Sequence, residues 1–394
     1  MYKYNTMPSL DPFPPSLLLI SLNQETKMHV FELQELKEAT GNFSPSKLIG
    51  KGSHGSVYRG LLKDDNLVAI KKQSLALQKL RDNAKIANEA SILSSIDPNS
   101  YLINLLGISH DRYGNQFLIT RYMPNGTLDQ LLHVSATPPS WHKRIEIALQ
   151  IAKGVRFLHD LSPNPIVHRD IKSANILFDG MWNAKLADFG LAVRLYSGTQ
   201  EKLPAGTIGY IDPSYTTPNK LSTKIDVFSY GVVLLELVSG RKVMDVSKSP
   251  ASIVEWALPL IDRGRLMEVC DKRVRLTRYV ARAVEQLVHV AARCLSSEEC
   301  MRPAMGEIVT NLEDLTARLI RMPVLRKSFR DIIVNMMGLR KSRFGGTKTI
   351  GTCADHHGRG GDLSANTKKN SVSRGTLLVC GCGSGFSSVL SVGN

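Results

Sequence analysis

A glycine run that leads straight into a strand is the feature that most restricts how this chain can fold. Gly50-Lys-Gly52-Ser-His-Gly55-Ser-Val57 has the spacing GxGxxGxV, in which bare backbone can approach a polyphosphate and offer it N–H donors. A dinucleotide-binding βαβ unit would need a helix directly behind the glycines. Here Ser56-Val-Tyr-Arg59 continues in extended, β-rich sequence, which excludes that topology locally. Lys71 follows fourteen residues after Val57, at the end of the apolar strand Val68-Ala-Ile-Lys71. Beside phosphates, an ammonium in that position gains charge-assisted hydrogen bonds provided a carboxylate holds it; without one it is an ordinary surface lysine. Glu89, on a helix expected from about Arg81 to Ser94, is placed to supply that carboxylate.

The pattern around these residues is uneven. Phe31, Leu33, Leu36 and Ala39, with charged residues between them, suit a short amphipathic helix stopped by Gly41. Strand, turn and strand follow from Lys47 to Lys72, with further strands at Leu102 to Ile108 and Gln116 to Tyr122. Thr127 to Leu132 and Ile145 to His159 carry helical spacing. A strand-rich first part and a mostly helical second part point to an α+β protein with two unequal lobes.

Two more short signals stand in the second part. His168-Arg169-Asp170-Ile-Lys172-Ser-Ala-Asn175 follows the apolar pair Ile166-Val167, and Asp188-Phe189-Gly190 begins thirteen residues after Asn175. Chance does not produce the glycine run, the strand lysine, HRDxKxxN and DFG in this order. Over about residues 43 to 316 the chain resembles the eukaryotic protein kinases. The resemblance implies a bilobal fold with a small antiparallel β-rich lobe carrying one main helix and a larger helical lobe. It implies ATP as phosphoryl donor and Mg²⁺ or Mn²⁺ held by Asn175 and Asp188. Lys71, paired with Glu89, would grip the α- and β-phosphates beneath Gly50, Gly52 and Gly55. Asp170 would accept the proton of the substrate hydroxyl, and Lys172, near the γ-phosphate, is similar to the serine/threonine-specific branch. Val57, Ala69 and Leu177 look like the apolar shelf for adenine, Thr120 like the gatekeeper, and Met123 is among the implied nucleotide-binding residues. His168 and Phe189, with Leu93 and Leu105, resemble the stacked regulatory spine.

Phe31 to Phe43, Gly206-Thr207-x-Gly209-Tyr210-x-Asp212-Pro213 and Asp226-Val-Phe-Ser-Tyr-Gly231 resemble the plant receptor-like kinases, and Ile253-Val-Glu255-Trp256-Ala257 their CRINKLY4-related branch. With no spanning segment ahead of the kinase region, the expectation is a receptor-like cytoplasmic kinase whose partners are protein substrates and a receptor-like kinase or other signalling protein. The implied layout is a flexible leader (1–28), a pre-kinase helix (29–43), a small lobe (44–123), a large lobe (124–320), a basic amphipathic segment (321–343) and a disordered Gly/Ser-rich tail (344–394). Arg169 beside Asp170 suggests control through the activation segment, with Ser197 and Thr199 as candidate acceptors. Thr207 is expected to hydrogen-bond near Asp170. Two departures leave open a scaffold that binds without turnover: Arg121 at a hinge position that is commonly acidic, and Ser214 where the family carries the glutamate partner of a buried arginine, here Arg302.

Net charge is +15 and the isoelectric point about 9.5, so nucleic acid and anionic membranes need weighing. Residues 321–394 hold twelve basic and three acidic residues, and thus most of the excess. That distribution argues against a specific nucleic-acid reader, which would carry the charge on a folded face. Leu325, Phe329, Ile332, Ile333 and Met336 repeat at helical spacing among arginines and lysines, a pattern that fits a packed helix with a solvated face, calmodulin or an anionic membrane. Six cysteines with no framework suit a reducing compartment. The run Leu17 to Leu22 is far short of the ~20 residues a span requires. A cytoplasmic protein, peripheral to the plasma membrane at most, is the expectation.

Overall fold

The computed structural model describes residues 28–51, 55–74, 84–196 and 203–320. Strand β1 (His29–Val30) leads into helix α1 (Leu33–Thr40), which Gly41 ends in the left-handed region at φ 59°. The sheet continues with β2 (Leu48–Lys51), β3 (Gly55–Leu61) and β4 (Leu67–Gln73), then helix α2 (Ala84–Ser94), β5 (Leu105–His110) and β6 (Gln116–Arg121). Strand order is β1-β5-β6-β4-β3-β2. The pairings are antiparallel, as expected of the small lobe, with the two-residue β1 added in parallel to β5 at the edge. Residues 102–104 depart from the expected strand. Leu102 bridges Leu186 and the Ile103 N–H donates to the Leu186 carbonyl, which carries this stretch across to the large lobe before β5 starts.

Side chains alternate across a strand, and that alternation sorts β4. Val68 and Ile70 are fully buried in a small core with Leu36, Leu62, Phe117 and Ile119, on the face that α1 covers. Ala69 and Lys71 therefore face the other way, opposite Thr120 and Leu118 of β6. Val57 on β3 lies across from Lys71. One register thus delivers the apolar shelf and the lysine to the same face.

The large lobe comprises α3 (Leu128–His133), α4 (Trp141–His159), β7 (Ile166–Val167), β8 (Ile176–Phe178), β9 (Ala184–Leu186), β10 (Val193–Arg194), α5 (Lys224–Ser239), α6 (Ile253–Asp262), α7 (Leu266–Val269), α8 (Arg278–Cys294) and α9 (Met305–Ile320). Thr127 caps α3 in a reciprocal box with Gln130, and Ser140 caps α4. Every residue of α5 from Ile225 to Val238 is buried, as a helix apolar on all sides must be. Two small antiparallel two-stranded sheets, β7 with β10 and the hairpin of β8 with β9, lie over this helical core. Their connections carry the chemistry.

Among the described residues no helix is long and apolar enough to cross a membrane. Residues 1–27 of the expected leader, the basic segment, the Gly/Ser tail, Gly52, Ser197 and Thr199 lie outside the described residues, whereas Met28, the last residue of that leader, is half-buried in the small lobe.

Candidate active site

The loop from β7 to β8 is anchored from below by a single carboxylate. Asp226, in the first turn of α5 and fully buried, accepts the backbone N–H of His168 at 2.8 Å and of Arg169 at 2.9 Å, and bonds His159 Nε2 at 2.9 Å. Burial works against its charge, but His159, His168 and these hydrogen bonds outweigh it and hold the carboxyl below the ordinary aspartate range. Arg169 adopts φ +66°, a strained value for a side-chain-bearing residue that this anchoring sustains. Its guanidinium donates to the carbonyls of Leu191 and Leu203 and to the Tyr215 hydroxyl.

Asp170, 7% exposed, is bonded on every side. Lys172 Nζ donates to Oδ2 at 2.7 Å, Thr207 Oγ1 to Oδ1 at 2.5 Å, and Asn175 Nδ2 to Oδ2 at 3.0 Å and to the Asp170 carbonyl at 2.9 Å. Lys172 also reaches Thr207 Oγ1 at 2.8 Å. The carboxylate is therefore oriented before any substrate arrives. With its amide nitrogen committed to Asp170, Asn175 keeps Oδ1 as its lone-pair end.

Across the cleft, Lys71 Nζ donates to Glu89 Oε2 at 2.7 Å and to Asp188 Oδ1 at 2.8 Å. Desolvation opposes the ammonium, yet the two carboxylates prevail and raise its pKa above the usual lysine range. Asp188 is held low despite its burial, because Lys71 pairs with it. Asp188, like Arg169, sits at φ +66°, turning DFG away from β9. The Phe189 ring meets His168 edge-on, centroids 4.8 Å apart. His168 Nε2 donates to the Ala187 carbonyl at 3.2 Å and Nδ1 accepts the Asp170 N–H at 3.3 Å, which makes the histidine a core member of the loop.

Lys71, Glu89, Asp170, Lys172, Asn175 and Asp188 line one cleft of about 1010 Å³, together with Gly50, Gly55, Val57, Ala69, Thr120, Met123 and Leu177. Arg121 is exposed at its rim. Gly55 is bare for a reason the motif does not suggest. A Cβ there would stand 2.4 Å from the Lys72 carbonyl oxygen, so the neighbouring strand dictates it, whereas at Gly50 a Cβ would meet only the Val57 side chain, at 3.8 Å.

Asp188 and Asn175 offer two hard oxygen donors of the kind Mg²⁺ prefers. No cluster of three His, Cys, Asp or Glu among the described residues would close a metal site alone. The donor set suits an ion that completes its shell with water and substrate phosphate.

The departure at Ser214 resolves differently from its sequence appearance. Arg302, 2% exposed, is paired: Asp212 accepts from its Nη2 at 3.0 Å and from Nη1 in a shorter contact, while its Nε donates to the Ser296 carbonyl at 2.8 Å. Ser214 adds its N–H and hydroxyl to the same Asp212 oxygen at 2.9 and 2.8 Å. A carboxylate two residues earlier does the work of the missing glutamate, so the segment is anchored rather than loosened.

Asn88 had no sequence signal. Its Nδ2 lies 3.1, 3.2 and 2.8 Å from the carbonyls of Phe189, Gly190 and Ala192, tying α2 to the DFG turn. Asp226 did leave one, as the first residue of the Asp226-Val-Phe-Ser-Tyr-Gly231 motif.

A family model described as protein kinase domain matches residues 43–312. A serine/threonine-protein kinase-like protein of Arabidopsis thaliana is 47% identical over 325 residues, which cover 76% of this chain and 93% of the relative. From the same organism, the probable serine/threonine-protein kinase PBL28 is 40% identical over 295 residues, 72% of this chain and 78% of the relative. The serine/threonine-protein kinase-like protein CCR4, also of Arabidopsis thaliana, is 38% identical over 327 residues, 77% of this chain and 43% of the relative.

Proposed function

The chain belongs to the protein kinase family, and from that premise we propose that it is an active kinase that phosphorylates serine and threonine hydroxyls of proteins with Mg²⁺-ATP. Use of ATP, a divalent ion and a protein substrate comes with the family. Serine/threonine specificity, the choice of ion and the residue roles are our reading. One observation carries it: Asp170, already oriented by Lys172, Thr207 and Asn175, faces the same cleft as the Lys71, Glu89 and Asp188 cluster.

Phosphoryl transfer asks a protein mainly for position and charge stabilisation. Lys71, kept an ammonium by Glu89 and Asp188, binds the α- and β-phosphates of the substrate nucleotide. Asp188 and the Asn175 amide oxygen would hold the divalent ion, which when bound would neutralise phosphate charge. Asp170 takes the proton of the attacking hydroxyl as its oxygen bonds the γ-phosphorus and the bond from that phosphorus to the β-phosphate oxygen breaks, releasing ADP, and Lys172 donates to the transferred phosphoryl oxygens. Thr207, bonded to both Asp170 and Lys172, joins the substrate-binding segment to that pair. Ala69, Val57 and Leu177 enclose the adenine ring and Met123 borders it, with Thr120 at the inner end.

The rival reading of a scaffold without turnover rested on Ser214 and Arg121. Asp212 in place of the glutamate removes the first motive. Partners are proposed from the relatives and the tail: a receptor-like kinase upstream, and calmodulin or an anionic membrane at the basic segment 321–343, in a cytoplasmic setting. Mass spectrometry after incubation with Mg²⁺-ATP tests the main reading. Phosphate on serine or threonine of the wild type, absent from Asp170→Asn, is the expected outcome; no incorporation by the wild type on itself or on a generic basic substrate refutes turnover.

A further inference from the structure

The motif from Phe31 to Phe43 touches no part of the cleft, yet the chain just ahead of it reaches the helix that carries Glu89. Ile86 and Ala90 of α2, each 3% exposed, form a small cluster with Ile108 of β5 and Leu118 of β6. Met28 packs against that cluster. A core of only four buried side chains thus borrows a further member from outside the α2 and β-sheet framework. Ile86 and Ala90 flank Glu89 in the helix, so whatever seats them also sets where the carboxylate meets Lys71.

Backbone geometry holds Met28 in place. His29 and Val30 pair in parallel with Gly107 and Ile108, and the Phe31 N–H donates to the Ile108 carbonyl at 2.8 Å. Gly107 is what allows the approach: a Cβ there would lie 2.1 Å from the His29 carbonyl oxygen and 2.8 Å from Phe31 Cε2. No side chain fits without moving the segment. Further on, Phe31, Leu33 and Phe43 pack on the outer core of the sheet around Leu36, and Lys72 Nζ stands 4.7 Å from the Phe43 ring centroid. The segment is fixed at its far end to the strand that bears Lys71 and at its near end to the helix that bears Glu89.

We infer that residues 28–43 form an in-chain strap, with Met28 as a positioning residue that seats α2 so that Glu89 engages Lys71, and Gly107 as the position that admits the strap. Asn88 secures the same helix from the opposite side, through the DFG turn. The inference rests on the proposed function only in giving the Lys71–Glu89 pair its catalytic purpose.

Hydrogen exchange on the full chain tests it without requiring turnover. Met28→Asp lowers protection of the amides of residues 84–94 by about tenfold, the factor to which partial burial of one methionine side chain roughly corresponds. Protection in residues 224–239 stays as in the wild type, and Met28→Leu restores residues 84–94. Gly107→Val, which expels the strap by another route, produces the same local loss, and the double variant Met28→Asp/Gly107→Val is no worse than the more severe single one, because both remove one contact. Autophosphorylation falls alongside protection. Unchanged exchange at 84–94 in Met28→Asp, an equal loss at 224–239, or additive effects of the two substitutions would overturn the strap. A wild-type chain that never incorporates phosphate would instead sink the proposed function and leave the exchange result standing.

Discussion

The exchange of Glu for Asp212 as the partner of Arg302 can be tested by removing charge while keeping shape. Both side chains are 1% exposed, so Asp212→Asn leaves the guanidinium buried without a counter-charge, with only neutral acceptors: the new amide oxygen and the Ser296 and Lys224 carbonyls, at 2.8 and 3.3 Å. Breaking one side of a buried ion pair costs about 3–5 kcal/mol, since the surviving charge has lost both its partner and its hydration. For a domain of this size a loss of that order lowers the melting temperature by roughly 10 °C. Urea unfolding and thermal melts of the purified protein measure it directly. Two further variants separate the pair from a general packing defect. Asp212→Asn with Arg302→Met, which removes the stranded charge, recovers much of the loss. Asp212→Asn with Ser214→Glu, which places a carboxylate where the family resemblance implies one, recovers it while retaining the arginine. A destabilisation below about 1 kcal/mol for Asp212→Asn alone, or no recovery in either double variant, would show that Asp212 is not the anchor.

Asn88→Leu strips three carbonyls of a shared donor, and a loss of about 1–3 kcal/mol in the coupling of α2 to the DFG turn is expected. Steady-state kinetics should show kcat/KM for ATP down roughly tenfold or more; an unchanged value refutes the coupling. For pH, the folded-state pKa of Asp226 lies below its unfolded value near 3.8, so its stabilising effect is complete above that value and disappears as pH falls through the folded pKa. The stability gap between wild type and Asp226→Asn, read from urea midpoints, therefore narrows on acidification below pH 3.8; a gap that widens there contradicts the sign. Glu236 behaves oppositely. Burial raises its pKa against the hydrogen bonds from His133, Tyr210 and Ser173, so Glu236→Gln should compare best with the wild type at alkaline pH and worst below the unfolded glutamate value near 4.5, as melting curves across that range would reveal.

Much of the cleft could be read along the chain because its parts are local. A glycine run, a lysine at a strand end, an Asp and an Asn five residues apart and an Asp before Phe-Gly each specify short-range geometry, and short-range geometry depends on neighbouring residues. The amphipathic spacing of α1 and the apolar, β-rich run of β4 are equally local, and the structure follows both. Other features had no such trace. β1 is two residues long, too short for any period, and exists because Gly107 lets its backbone lie against β5. Asn88 next to Glu89 looks like an ordinary helix-surface residue until the DFG turn is folded beneath it. Arg302 advertises the need for a counter-ion but not which one: across 90 residues the packing brings Asp212 rather than position 214. Residue type states what a side chain can bond, whereas a buried charge takes the partner that the close-packed interior places within reach, and that placement is a property of the whole fold.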